Sequence, residues 1–228
     1  MAVAVAELKR TEEEYLAMER EADERHEYID GYIFEIAGES HKHGEISANL
    51  GGILGSQLRG TPCRGRGANS KIRTGPRPAL ARSQKAMYSY PDFFVICGEL
   101  ELLDEFQDVI TNPTVIFEVL SPSTENYDRG EKFFRYQNWS PTLKDYVLIS
   151  QTSPTVEHFS RQTNGSWTYR VHQGLEASFA IKSIKCTLKL SEIYDRVQFR
   201  TDKPGKKRGA KKAAKKKMAA TVKGKRKR

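Results

Sequence analysis

No apolar run in this chain approaches the roughly 18–20 residues that a membrane-spanning helix needs. The opening MAVAVAELKRTEEE has no charged segment followed by a long apolar one, so it does not read as a signal peptide. Cysteine is scarce: Cys63, Cys97 and Cys186 are far apart, odd in number and without a CxxC pair. That pattern supports neither a zinc site nor a disulfide framework, and predicts free thiols in a reducing cytosol. Nothing repeats internally. These absences point to a cytoplasmic protein with no membrane partner.

Charge is abundant but segregated. From Lys203 to Arg228 there are 14 Lys or Arg and no Asp or Glu. The remainder, Met1 to Asp202, holds 24 basic against 29 acidic residues, so the body is near −5 and the stated +9 belongs to the tail. A like-charged segment with Pro and Gly and almost no aromatics cannot bury a core. We therefore expect one domain over residues 1–200 and a disordered lysine-rich tail over 201–228. The tail's lysine-alanine pattern resembles linker-histone tails, and counterion release would drive it toward polyanions.

Along the body, Thr11 to Glu24 reads as a helix with Thr11 and Glu14 forming a capping box. Asp30-Gly31, flanked by EYI and YIFEI, signals a hairpin over His26 to Ile36. Ser40 to Leu58 has helical apolar spacing at Ile46, Leu50, Ile53, Leu54 and Leu58. A strand is expected near Lys71 to Arg73 and a loop over Pro76 to Ser89. Phe93 to Cys97 and Val115 to Leu120 read as buried central strands, joined by an acidic connector. Asn126 to Trp139 reads as a helix and Asp145 to Ser150 as another buried strand. Val156 to Phe159 and Trp167 to Val171 form a second hairpin around Asn164-Gly165, and Leu190 to Tyr194 makes one helical turn. The order predicts a mixed α/β (α+β) fold, one central sheet flanked by a few helices.

Two acids stand where acids are costly. Asp92 follows Pro91 at the start of one buried strand, and Glu118 lies in VIFEVLS on the next. An unpaired buried carboxylate costs several kcal/mol, on the order of the penalty for any desolvated charge. Two carboxylates lining a cleft are tolerable when a cation neutralises them. Oxygen-only ligands favour Mg²⁺ or Mn²⁺, and such an ion suits phosphodiester hydrolysis by polarising the phosphoryl group and activating water. The bland alternatives are a turn residue for Asp92 and a solvated edge strand for Glu118. In the following helix Asp128, Lys132 and Tyr136 fall at i, i+4 and i+8 and share a face. Lys132 could stabilise charge on a phosphate, or merely pair with Asp128 on the surface.

The stretches PD, EVLSPST and YDRGEKFFRY resemble the Uma-two-type family of restriction-endonuclease-like proteins, within the PD-(D/E)XK superfamily. The resemblance runs from about Tyr15 to Phe199. It implies a restriction-endonuclease-like core, with Asp92 and Glu118 as the metal-binding acids. The usual superfamily lysine would stand where this chain has Leu120, and the resemblance points to Lys132 instead. HEYIDGYIFEIAG and SHKHGEISANL are similar to the family's hairpin and following helix, marking Glu27 and His43 as auxiliary groups, with a strand-edge carboxylate and a helix-start polar contact as the alternatives. Asn69 stands where relatives often carry Asp.

Ile46 to Pro91 holds Arg59, Arg64, Arg66, Lys71, Arg73, Arg77, Arg82 and Lys85 with no acid, which reads either as a phosphate-facing strip or as a solvated loop. The expectation is thus a Mg²⁺- or Mn²⁺-dependent endonuclease tethered to DNA by its tail, with a homodimer left open. The rivals are a catalytically silent DNA-binding protein and a protein-interaction module with a nucleic-acid-binding tail.

Overall fold

The computed structural model describes residues 9–36, 38–76 and 85–199. The tail expected to be disordered lies outside the described residues. In chain order the elements are α1 (Glu12–Glu21), β1 (His26–Ile29), β2 (Tyr32–Glu35), α2 (His41–Gln57), β3 (Cys63–Gly67), β4 (Lys71–Thr74), β5 (Met87–Ser89), β6 (Phe93–Cys97), β7 (Val109–Ile110) and β8 (Val115–Leu120). There follow α3 (Glu125–Tyr127), a π-helical turn (Asp128–Lys132), α4 (Phe133–Trp139), β9 (Asp145–Ser150), β10 (Thr155–Arg161), β11 (Trp167–Gln173), β12 (Ser178–Ile181), β13 (Cys186–Lys189) and α5 (Leu190–Ile193).

The local signals act as their chemistry requires. Thr11 accepts from the Glu14 amide while the Glu14 carboxylate accepts from the Thr11 amide, which closes the capping box of α1. Asp30 and Gly31 both take positive φ, 51° and 99°, the geometry that a two-residue turn needs to match strand twist. Ser40 caps α2, whose Ile46, Leu50 and Leu54 are fully buried. Each such side chain contributes about 1.5–3 kcal/mol relative to exposure.

Mixed α+β class holds, with more sheet than expected. A six-stranded mixed sheet runs β11-β10-β9-β8-β6-β3, and a five-stranded one runs β2-β1-β5-β4-β7. The second sheet recruits β5, which falls inside the segment expected to be a loop, and β7, which falls inside the acidic connector. Both strands are too short to show a period, and only pairing with neighbours defines them. A small β12-β13 sheet completes the fold.

Alternation in the six-stranded sheet builds two cores. Val95, Val115, Phe117, Val119, Val147 and Ile149 pack against α2, α5 and the β12-β13 sheet. Phe94, Ile96, Ile116, Leu120, Tyr146 and Leu148 pack against α4 and the second sheet. A third cluster, with Tyr15, Tyr28 and Tyr88, seats α1 on the far side of the five-stranded sheet.

The expectation of three free thiols is corrected. Cys63 and Cys97 face each other across the β3–β6 pair and form a disulfide, while Cys186 is free and buried. Sequence spacing hid the pair because sheet register, not proximity along the chain, brings the two residues together. In the same pair Gly65 lies under the Phe93 ring, where a Cβ would collide with it. Among the described residues no helix is long and apolar enough to cross a membrane.

Candidate active site

β6 and β8 run antiparallel in the register Phe93↔Phe117, which by extension sets Asp92 opposite Glu118. The Asp92 carboxylate reaches across to that strand: its Oδ2 accepts from the Val119 amide at 2.6 Å. Its Oδ1 lies 2.7 Å from Nε2 of His43, which stands on the buried side of α2, three residues before Ile46.

Glu118 falls on the face of β8 that looks toward the second sheet, and is 4% exposed. Glu27 comes from the other direction. Tyr28 turns toward α1, so its neighbour Glu27 turns inward between the sheets. Lys132 meets both acids. Its Nζ lies 3.0 Å from Glu118 Oε1, 3.2 Å from Glu27 Oε1 and 3.7 Å from Asp128 Oδ1. Although the ammonium is near, Glu118 Oε1 has no aligned hydrogen-bond donor. Charge, more than hydrogen-bond geometry, holds this buried oxygen to Lys132.

The π-helical turn positions this lysine. Asp128 and Lys132 are both buried, against the expectation's alternative of a surface pair. The Asp128 carbonyl accepts from Tyr146 at 2.9 Å, and downstream Tyr136 meets Ser89 at 2.7 Å, so both sides of the turn are anchored. Widened turns of this kind recur at functional sites. Leu120, where the superfamily lysine would stand, is core.

Electrostatics follow from this burial. Burial pushes the Glu118 carboxyl well above the usual range; Lys132 opposes this, and Asp128 and Asp92 add to it. Asp128 rises for the same first reason, with Lys132 and Thr124 opposing. Burial works against charge on Lys132, but Glu118, Glu27 and Asp128 outweigh it and hold the ammonium well above its ordinary value. The surrounding acids thus favour the charged Lys132, while burial disfavours the ionised forms of both Glu118 and Asp128. Burial also disfavours charge on His43, yet the bond and field of Asp92, with Glu39, raise its pKa overall.

Two residues were not singled out from sequence. Gln151, one residue past β9, bonds both Ser40 and His43. Tyr127 places its ring 5.8 Å from the Lys132 ammonium. The available signal for Gln151 was a polar residue directly after a buried strand parallel to β8. Asn69 lies exposed in the turn between β3 and β4, and nothing in the structure gives it a role.

The basic strip divides. Lys71 and Arg73 are buried and paired internally, Lys71 with Asp108 at 3.3 Å and Arg73 with Glu12 at 2.7 Å, so they do not face a phosphate. Arg59 and Arg64 are exposed and Arg66 is half-buried, whereas Arg77 and Arg82 lie outside the described residues.

Among the described residues no three His, Cys, Asp or Glu side chains converge as a metal cage. The donor set nevertheless suits a hard cation, because Mg²⁺ commonly takes only one or two carboxylates and keeps its waters. The undonated Glu118 Oε1 is a fitting ligand atom.

The arrangement of sheets and helices is a nuclease-like fold. The chain matches the crystal structure of a "putative nuclease belonging to DUF820" from Anabaena variabilis, with a TM-score of 0.65 at 17% identity, over 83% of this chain and 99% of that one. The chain belongs to the Uma2 family, described as "Putative restriction endonuclease", whose model matches residues 12–189. Among relatives, "Uncharacterized protein slr1290" of Synechocystis sp. is 34% identical, covering 84% of this chain and 94% of its own. "Uncharacterized protein sll1609" of the same organism is 33% identical, covering 77% and 94%.

Proposed function

We propose that this protein is a divalent-cation-dependent endonuclease acting on DNA, held to its substrate by the basic tail. The observation that carries the reading is the Lys132 ammonium set 3.0 Å from Glu118 and 3.2 Å from Glu27, with Asp92 bound to the adjoining Val119 amide. Asp92 and Glu118 would hold Mg²⁺ or Mn²⁺, which when bound polarises a phosphoryl oxygen and acidifies a water. Lys132 would offset charge growing on the phosphate in the transition state, where a desolvated, prepositioned cation is most effective. Glu27 keeps Lys132 charged and aimed. His43 fixes Asp92.

Purified protein should nick or cut DNA with Mg²⁺ or Mn²⁺ and not in chelator. Asp92→Asn and Glu118→Gln keep side-chain shape and should each abolish cleavage without unfolding the domain. Robust cleavage in chelator, or by both variants, would refute the assignment. One observation favours a second reading, a silent DNA-binding protein with the same fold: both Asp92 oxygens are already engaged. Inactivity of the wild type on many substrates, with DNA binding retained, would select it.

A further inference from the structure

The hydrogen bonds behind His43 have a definite direction. Ser40 Oγ accepts from the His43 amide at 3.2 Å as the cap of α2, which leaves its own hydrogen to donate. That hydrogen goes to Gln151 Oε1 at 2.6 Å. The amide of Gln151 is thereby turned so that its NH₂ faces Nδ1 of His43 at 3.3 Å. A ring nitrogen facing a donor serves as an acceptor, so the ring hydrogen of His43 sits on Nε2 and points at Asp92 Oδ1, 2.7 Å away. The Val119 amide holds the other oxygen. Two donors from two different elements thus fix the carboxylate, one on each oxygen, and each oxygen keeps a second lone pair. Gln151 is 7% exposed and sits where β9, parallel to β8, runs out, so the chain of bonds ties one end of the sheet to the start of α2.

We propose that Gln151 is a positioning residue: its amide, oriented by Ser40, donates to Nδ1 of His43, holds the ring in the Nε2–H form that Asp92 also requires, and through the ring sets the Asp92 carboxylate for cation binding. The last step rests on the metal-site reading above; the tautomer does not. Outer-shell partners of this kind are worth about 10–100-fold in metal affinity.

Full-length protein with ¹⁵N-labelled histidine, at mildly alkaline pH, reports the tautomer directly. The His43 signal is assigned by its loss in His43→Gln. Wild type should show the Nε2–H ring. Asp92 still requires a hydrogen on Nε2, so Gln151→Leu should keep that ring form but lose the ¹⁵N shift of a hydrogen-bonded Nδ1. Gln151→Glu, which presents a carboxylate to Nδ1, should instead draw a hydrogen onto it. Mn²⁺ titration should show affinity reduced about tenfold or more in Gln151→Leu, within the range for outer-shell residues. An Nδ1–H ring in the wild type, or spectra unchanged in both variants, overturns the proposal. A protein that shows the predicted ¹⁵N shifts but binds no Mn²⁺ sinks the metal reading while the positioning of His43 stands. Altered His43 ¹⁵N shifts with undiminished Mn²⁺ affinity overturn the step from His43 to Asp92.

Discussion

Lys132 and Glu118 come from a helix and a strand, and their charged atoms lie 3.0 Å apart with both side chains almost fully buried. Removing the lysine leaves a buried carboxylate with no partner cation, which typically costs about 3–5 kcal/mol. We expect Lys132→Met to show a loss of that order by urea unfolding. The double variant Lys132→Met/Glu118→Gln should recover much of it, because it removes the orphaned charge. Single losses that simply add in the double variant would show that the two residues do not couple.

The π-helical turn should be required for this approach. Gly130, exposed and with open space around it, is the residue to delete. Regularising the turn rotates one flank against the other by about 100°, one residue's share of an α-helical turn. Either Lys132 leaves Glu118 or Asp128 gives up its bond to Tyr146. The deletion variant should keep its helical circular dichroism and lose cleavage. Full activity would make the turn incidental.

His172 gives a pH signature away from the site. Its ring stacks on Phe179 at 4.9 Å, and burial, then His158 and Arg170, lower its pKa below the ordinary 6.5. As pH falls through 6.5 the unfolded chain takes up the proton first. The contribution is therefore complete above 6.5 and is lost as pH drops through the lower folded value. Between about pH 7.5 and 5 the wild type should lose more thermal stability than His172→Phe, since only the wild type carries this linkage. Equal losses would place the titration elsewhere.

The tail should set affinity rather than chemistry. Its 14 basic residues over Lys203 to Arg228 can release many counterions, each neutralised phosphate adding about 0.9 to the log–log salt slope on duplex DNA. Deleting the segment should weaken DNA binding and reduce the slope by several units, below the full count. At saturating DNA the truncated protein should still turn over, because none of the proposed active-site residues lies in the tail. An unchanged slope across salt titrations would mean that the body binds DNA alone.

Much of the architecture was legible because its causes are local. The capping box at Thr11, the Asp30-Gly31 turn and the apolar spacing of α2 each act within a few residues. Asp92 and Glu118 stood out for a related reason: a carboxylate in an apolar strand conflicts with its surroundings, and the conflict is visible in sequence. Helical register with Asp128 and Tyr136 raised Lys132 without deciding between a phosphate contact and a surface pair. Glu27 and His43 needed the family resemblance, since nothing nearby distinguishes them from surface residues.

What the sequence by itself determined, then, is which of the longer segments become helix, turn or buried strand, and that two acids sit on neighbouring strands. The short β5 and β7 needed their partners. Only the tertiary structure decided which charges are internal. Lys71 and Arg73 look identical to Arg59 and Arg64 in a list of basic residues, yet the first two pair inside the fold and the others face solvent. It also joined Cys63 to Cys97 and Gln151 to His43, across 34 and 108 residues. Periodicity records which face of an element is buried. Partners across a sheet or between layers depend on register and packing, which no local window contains.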